Sequence, residues 1–345
     1  MIPVRAPDFL RQRENGGRSG VFEGPTALRD FLNPENHPPV PMVELPVYLN
    51  PLAAEGVRVF AKLMYLLPLL TVKSLPALQM LTDAAEAGRL EGVHTIVENS
   101  SGNTVFALSV LAKLFDIGRV LAIVPWDIAP GKLDLLRIAG AEPLLRRDAP
   151  GQPGGIAEAR AMGEQPGIFN PAQYDNESNP AVYEKWVAPE VWRQTRGRLT
   201  VFAAGLGTTG TLVGASRFLR RQSPCARTVG VMCAAGHAVP GVRTAARLAE
   251  IGFDWRGAAD CVVEAETKES FKRSVDLCRA GIMAGPSSGF ALAGLQKFLA
   301  MRREHGDLDR LRNADGEVVA VFLCGDTPLP YLDKYSTHLD PADFC

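Results

Sequence analysis

Short β-branched runs and helical periodicities take turns along this chain. Residues 57–63 read as a strand and 75–87 as a helix, and 94–97 and 104–115 repeat the pair. The series continues as strand 120–124, helix 131–139, strand 199–204, helix 211–220, strand 228–232, helices 269–280 and 289–304, and strand 317–323. Strands that alternate with helices of this length predict parallel sheets covered on both faces, an α/β fold. Residues 1 to about 40 lack such a period and are rich in Pro, Arg, Gly and Asn, including Gly16-Gly17-Arg18-Ser19-Gly20 and His37-Pro38-Pro39. They read as an arm that lies across a neighbour or flaps. No self-similarity at a fixed spacing points to a repeat architecture.

Composition narrows the class. With 345 residues, 46% of them hydrophobic and 22% charged, the chain can bury two cores, which excludes disorder as the whole story. Lys plus Arg number 37 against 38 Asp plus Glu, so no global field would draw the protein to nucleic acid or to an anionic membrane. Charged residues or prolines break every apolar stretch before it reaches the roughly 18 residues of a spanning helix. Residues 1–15 mix Arg5, Asp8, Arg11 and Arg13 with few apolar side chains, unlike a signal peptide, and a cytoplasmic location is the expectation. The six cysteines, from Cys225 to Cys345, form no C-x-x-C pair and have no His at ligand spacing, so no metal site is expected.

Four loops carry candidate chemistry. In Val201-Phe202-Ala203-Ala204-Gly205-Leu206-Gly207-Thr208-Thr209-Gly210-Thr211 an apolar strand runs through glycines into a helix. Backbone N–H groups and a helix N-terminus there can bind an anion. The spelling also satisfies G-x-G-x-x-G, and three readings stay open: a phosphate cup, a dinucleotide turn and a plain turn. A dinucleotide site wants an acid after the next strand, where Cys233-Ala234-Ala235-Gly236 stands instead. Three threonines suit a phosphate monoester better. Val97-Glu98-Asn99-Ser100-Ser101-Gly102-Asn103-Thr104 is over-rich for an N-cap, which needs a single Ser or Asn, and reads equally as a carboxylate pocket. Asn170 to Pro180 is a polar loop too long for a simple turn, and Ala284-Gly285-Pro286-Ser287-Ser288-Gly289 opens the last long helix.

In order along the chain, the lysine of Thr71-Val72-Lys73, S-S-G-N-T, the Asn/Gln loop, G-x-G-T-x-G-T and P-S-S-G resemble the motif series of the cysteine synthase and cystathionine β-synthase family. These are fold-type II pyridoxal-phosphate (PLP) enzymes, and the resemblance runs over about residues 40–335. It implies a two-domain, tryptophan synthase β-like fold, each domain a mainly parallel sheet flanked by helices. The domains expected are an arm over 1–36, a large PLP-phosphate-binding domain from 37–64 with 166–345, and a small mobile domain over 65–165. Lys73 would hold PLP and serve as the base for the α-proton. Asn103 would bond the cofactor's ring oxygen, Gly207, Thr208, Thr209, Gly210 and Thr211 would cup its phosphate, and Ser287 would face its pyridine nitrogen. A hydroxyl there makes a weaker electron sink than a carboxylate would. Ser100, Ser101, Thr104 and Gln173 would grip the substrate carboxylate from loops facing one another across a cleft, and Gln173 would matter more to chemistry than to folding.

The activity implied is β-replacement on an O-activated L-serine, O-acetyl- or O-phosphoserine, through an enzyme-bound aminoacrylate, with a small nucleophile as second substrate. A β-eliminating dehydratase or ammonia-lyase and a catalytically degenerate PLP-binding homologue are the alternatives. The family also implies a homodimer. The chain departs from it where Met64-Tyr65-Leu66-Leu67-Pro68-Leu69-Leu70 replaces a polar approach to the lysine, and where Thr209 stands for a glycine. Arg243, in a shortened segment facing the site, brings a phosphorylated or acidic substrate into view, against the reading of an exposed surface arginine.

Overall fold

The computed structural model describes residues 20–147 and 154–344; residues 1–19 of the predicted arm and Cys345 lie outside them. Ten strands are present among the described residues: β1 Met42–Glu44, β2 Val57–Lys62, β3 Thr95–Asn99, β4 Arg119–Pro125, β5 Ala141–Arg146, β6 Ile168–Phe169, β7 Val201–Gly205, β8 Arg227–Cys233, β9 Cys261–Ala265 and β10 Val318–Leu323. They form two sheets, one of order β5-β4-β3-β6 and one of order β1-β2-β10-β7-β8-β9. Every pairing is parallel except β1 on β2, which is antiparallel. The alternation of strand and helix in the sequence thus becomes an α/β fold, as expected.

The chain divides into two compact units, residues up to Pro39 with Leu67–Ser178, and Val40–Leu66 with Asn179–Cys345. The smaller sheet belongs to the first. Its helices are α1 Ala27–Leu32, α2 Ser74–Glu86, α3 Asn103–Leu111, α4 Pro130–Ile138 and α5 Gly155–Gly163. Helix α3 buries Val105, Ala107, Leu108 and Leu111 on several faces, so it sits inside the core with Leu81, Ile96, Val120 and Ala122. Leu32 of α1 packs against that core, and Arg29 donates to the Leu114 carbonyl at 3.2 Å. Helix α1 is therefore packed on the smaller unit.

The larger unit is built around β10, whose six residues are all buried. An uninterrupted apolar run is what a central parallel strand needs, since helices cover both its faces. The helix Pro286–Glu304 packs on this sheet, and Gly289 lets it approach the helix Thr267–Arg279, because a Cβ there would collide with the Ser270 carbonyl. Lys62 closes β2 with no exposure at all. Its ammonium meets Glu190, Gln194 Oε1 at 2.8 Å and the Val40 carbonyl at 2.5 Å, so the buried charge is paired.

Candidate active site

Within each unit the chemistry-bearing loops leave the C-terminal ends of parallel strands, the edge where α/β sheets bind ligands. In the smaller unit, β3 ends at Asn99 and α3 begins at Asn103, so Ser100, Ser101 and Gly102 form the turn between them. Ser100, Ser101 and Asn103 are half-buried, while Thr104 is buried. The loop 170–178 lies against this turn. Thr104 donates its hydroxyl to Gln173 Oε1 at 2.7 Å, Tyr174 donates to the Asn99 carbonyl at 2.9 Å, and Gln173 Nε2 reaches the same carbonyl at 3.4 Å. Asn170 ties to the Val97 carbonyl at 2.7 Å. Ala172 takes φ 55°, a left-handed value that costs a non-glycine residue energy.

Ser100, Ser101, Thr104 and Gln173 are thus gathered in one unit, where loops on opposite sides of a cleft were expected. Gln173 is only 3% exposed, and its bonds make it part of the loop's fold as well as of any pocket.

Lys73 stands at the start of α2, half-buried, with its backbone N–H bonded to Thr71 Oγ1 at 3.2 Å. The approach to it is strained. Leu69 and Leu70 both have positive φ, 70° and 55°, in the region that branched side chains avoid. Such conformations persist where surrounding structure over-determines them, and here they set the chain just ahead of the lysine.

In the larger unit, β7 ends at Gly205 and the helix Gly210–Gln222 follows. Thr209 caps that helix with φ 67° and no side-chain cap bond, so its first N–H groups point out of the helix unanswered by a capping oxygen. The Thr209 hydroxyl is buried without a partner among the described residues. Thr208 accepts from Asn179 Nδ2 at 3.0 Å, Thr211 is half-buried, and Gly207 has no room for a Cβ, which would collide with the Gly241 carbonyl. An uncapped helix N-terminus, an orphaned donor and a close-packed glycine turn have the chemistry of an anion cradle. β8 ends at Cys233, so no carboxylate follows the next strand to hold a ribose.

Ser287 is the second residue of the helix Pro286–Glu304. Its hydroxyl is 3.4 Å from Asp326 Oδ1, a long contact, while Tyr331 donates to Asp326 Oδ2 at 2.6 Å. Asp326, buried just beyond the end of β10, was not foreseen; its place after an apolar strand is the signal that could have found it. Arg243 does not lie free on the surface. Its guanidinium pairs with Glu250 at 3.2 Å, while its backbone N–H bonds the Leu206 carbonyl at 2.8 Å, strapping residues 241–243 onto the glycine turn. Glu98 and Asn179 carry no signal of their own in the sequence, because the partners that reveal them, Gln173 and Thr208, lie 75 and 29 positions away. Burial pushes the Glu98 carboxyl up to about 7, against the lowering effect of N–H groups from Gln173 and Asn99.

No helix among the described residues is long and apolar enough to cross a membrane. A family model described as pyridoxal-phosphate dependent enzyme matches residues 36–325. Cysteine synthase B of Salmonella typhimurium is 33% identical over 270 residues, covering 78% of this chain and 85% of that protein. Cysteine synthase B of Pseudomonas aeruginosa is 33% identical over 257 residues, covering 74% and 81%. Among solved structures, O-ureido-L-serine synthase superposes with a TM-score of 0.74 at 27% identity, covering 88% of this chain and 93% of that one. A cysteine synthase from Entamoeba histolytica, at 23% identity and TM-score 0.74, shares the fold.

Proposed function

Because this chain belongs to the pyridoxal-phosphate-dependent enzymes, in their cysteine synthase branch, we propose that it performs β-replacement on an O-activated L-serine with Lys73 as cofactor lysine and base. When bound, PLP supplies an electron sink that acidifies the α-carbon and lets the β-substituent depart. Everything else falls to side chains of this protein.

The observation that carries the assignment is the turn at 207–211, where an uncapped helix N-terminus and the unpartnered Thr209 hydroxyl suit a phosphate monoester. Gly207, Thr208, Thr209, Gly210 and Thr211 would hold that phosphate. Asn103 would bond the ring oxygen and Ser287 would face the ring nitrogen. Ser100, Ser101, Thr104 and Gln173 would orient the amino acid by its carboxylate, with α3's N-terminus adding a favourable dipole. The Lys73 amine would take the α-proton. Asp326, close to the Ser287 hydroxyl, would orient it. The substrates are small: an amino acid with an activated β-oxygen, as O-acetyl- or O-phosphoserine, and a small nucleophile such as sulfide. A homodimer in the cytoplasm completes this reading, on the strength of the family resemblance.

The deciding experiment is to purify the protein with PLP, reduce it with borohydride and map the modified peptide, then supply O-acetylserine, O-phosphoserine or serine with sulfide and measure cysteine. A pyridoxyl group on Lys73 and cysteine from an activated serine are expected. A label on another lysine, or ammonia and pyruvate with no cysteine, would overturn the proposal.

A further inference from the structure

Glu98 lies at the heart of the smaller unit's loop network, yet no part of the proposed chemistry uses it. It is 1% exposed, and its carboxylate accepts from Asn99 N at 2.9 Å and from Gln173 N at 3.2 Å. The Gln173 side chain, which also acts on the Glu98 carboxyl, accepts from Thr104 and reaches Asn99 O. One residue therefore joins Glu98 to the loop that would receive a substrate carboxylate.

No cation answers this charge among the described residues. Asp175, in the same loop, adds repulsion and is itself paired with Arg160 of α5. Glu158 of α5 is paired with Arg146 and Arg119 of β4 with Glu142, while α3 and β6 contain no charged residue. A buried carboxylate bonded to N–H groups alone is far costlier as an anion than in water.

We propose that Glu98 is a positioning residue for the amino-acid carboxylate: through Gln173 and Asn99 it shapes the pocket, and its negative charge opposes capture of a second anion there. This rests on the proposed role of residues 100–104 and 173. Two effects act in one direction. An anionic Glu98 repels the incoming carboxylate, and it is better solvated when the 172–176 loop lifts and admits water. A neutral Glu98 favours both the closed loop and the bound anion. The position of its carboxyl near 7 puts that change within the working range of a cytoplasmic enzyme.

The test uses the full chain in two forms. With PLP bound, KM for the amino acid should rise about five- to tenfold between pH 6 and pH 8.5, the linkage expected when binding displaces a pKa by up to about one unit. The rise should be nearly absent in Glu98→Gln, which keeps the size and loses the charge, and should reappear in Glu98→Asp. In the cofactor-free protein, hydrogen exchange of residues 172–176, corrected for intrinsic rates, should show protection falling above pH 7 in the wild type and flat in Glu98→Gln. A wild-type KM and loop protection that both ignore pH, or a Glu98→Gln profile that follows the wild type, would overturn the inference. Failure of the functional reading appears elsewhere, as a missing pyridoxyl label on Lys73, and leaves the exchange measurement able to judge Glu98.

Discussion

Thr104 donates its hydroxyl to Gln173 Oε1 at 2.7 Å, a bond between residues 69 positions apart that fastens the 170–178 loop to the start of α3. Both side chains are buried, so removing one partner leaves the other unsatisfied. Thr104→Val should cost about 1–3 kcal/mol of stability and raise the amino acid's KM. Thr104→Val combined with Gln173→Leu should cost less than the two changes added, with a coupling of about 0.5–3 kcal/mol in a double-mutant cycle. Strict additivity would show that the bond contributes nothing.

Lys73→Ala should abolish turnover and covalent attachment of PLP, because anchor and base disappear together. The fold should survive, since Lys73 only begins α2 while Ala77, Met80, Leu81 and Ala84 bury its inner face. Retained circular dichroism with no pyridoxyl label after borohydride is the expected result; residual labelling would move the cofactor lysine elsewhere.

Thr209 combines a left-handed backbone, φ 67°, with a buried hydroxyl that has no partner among the described residues. Thr209→Gly relieves roughly 1–3 kcal/mol of strain and gives back about 0.5–1 kcal/mol in unfolded-chain entropy, so the cofactor-free protein should be at least as stable as the wild type. Its affinity for PLP and for inorganic phosphate should fall about ten- to a hundredfold, the loss of one hydrogen bond to a charged group. NAD should bind neither protein. Unchanged phosphate affinity would remove Thr209 from the cradle.

Glu98 should leave a mark on the pH dependence of unfolding. Its carboxyl is raised from 4.5 to about 7 by burial, so the native state holds that proton more tightly than the unfolded chain does. The resulting stability is complete below about 4.5 and is lost as pH rises through about 7. Denaturant titrations should show the wild type losing on the order of 3 kcal/mol more than Glu98→Gln across that window. Parallel curves for the two proteins would mean that Glu98 is hydrated or paired in the native state.

Much of this architecture is legible in local pattern, because the period of apolar residues reports which face is buried. β10 and the helix Pro286–Glu304 are plain for that reason. β5 and β9 are not. β5 closes one edge of its sheet with Pro143 inside it and Leu144 and Leu145 exposed, and β9 closes an edge of the other sheet with Val262 and Glu264 exposed, so neither has the unbroken apolar run of a central strand.

The motif loops were visible as residue types at the ends of strands, and so was the family they belong to. What the amino-acid order could not specify was the partner of each polar atom. That Gln173 shares a unit with Thr104, that Asn179 supports Thr208, that Asp326 stands by Ser287 and that Glu98 meets no cation among the described residues all follow from contacts between segments far apart in the chain. Hydrophobic period is a local property, while the cost of a buried charge or an unmade hydrogen bond depends on whatever the folded chain brings alongside. Only the tertiary structure decides that.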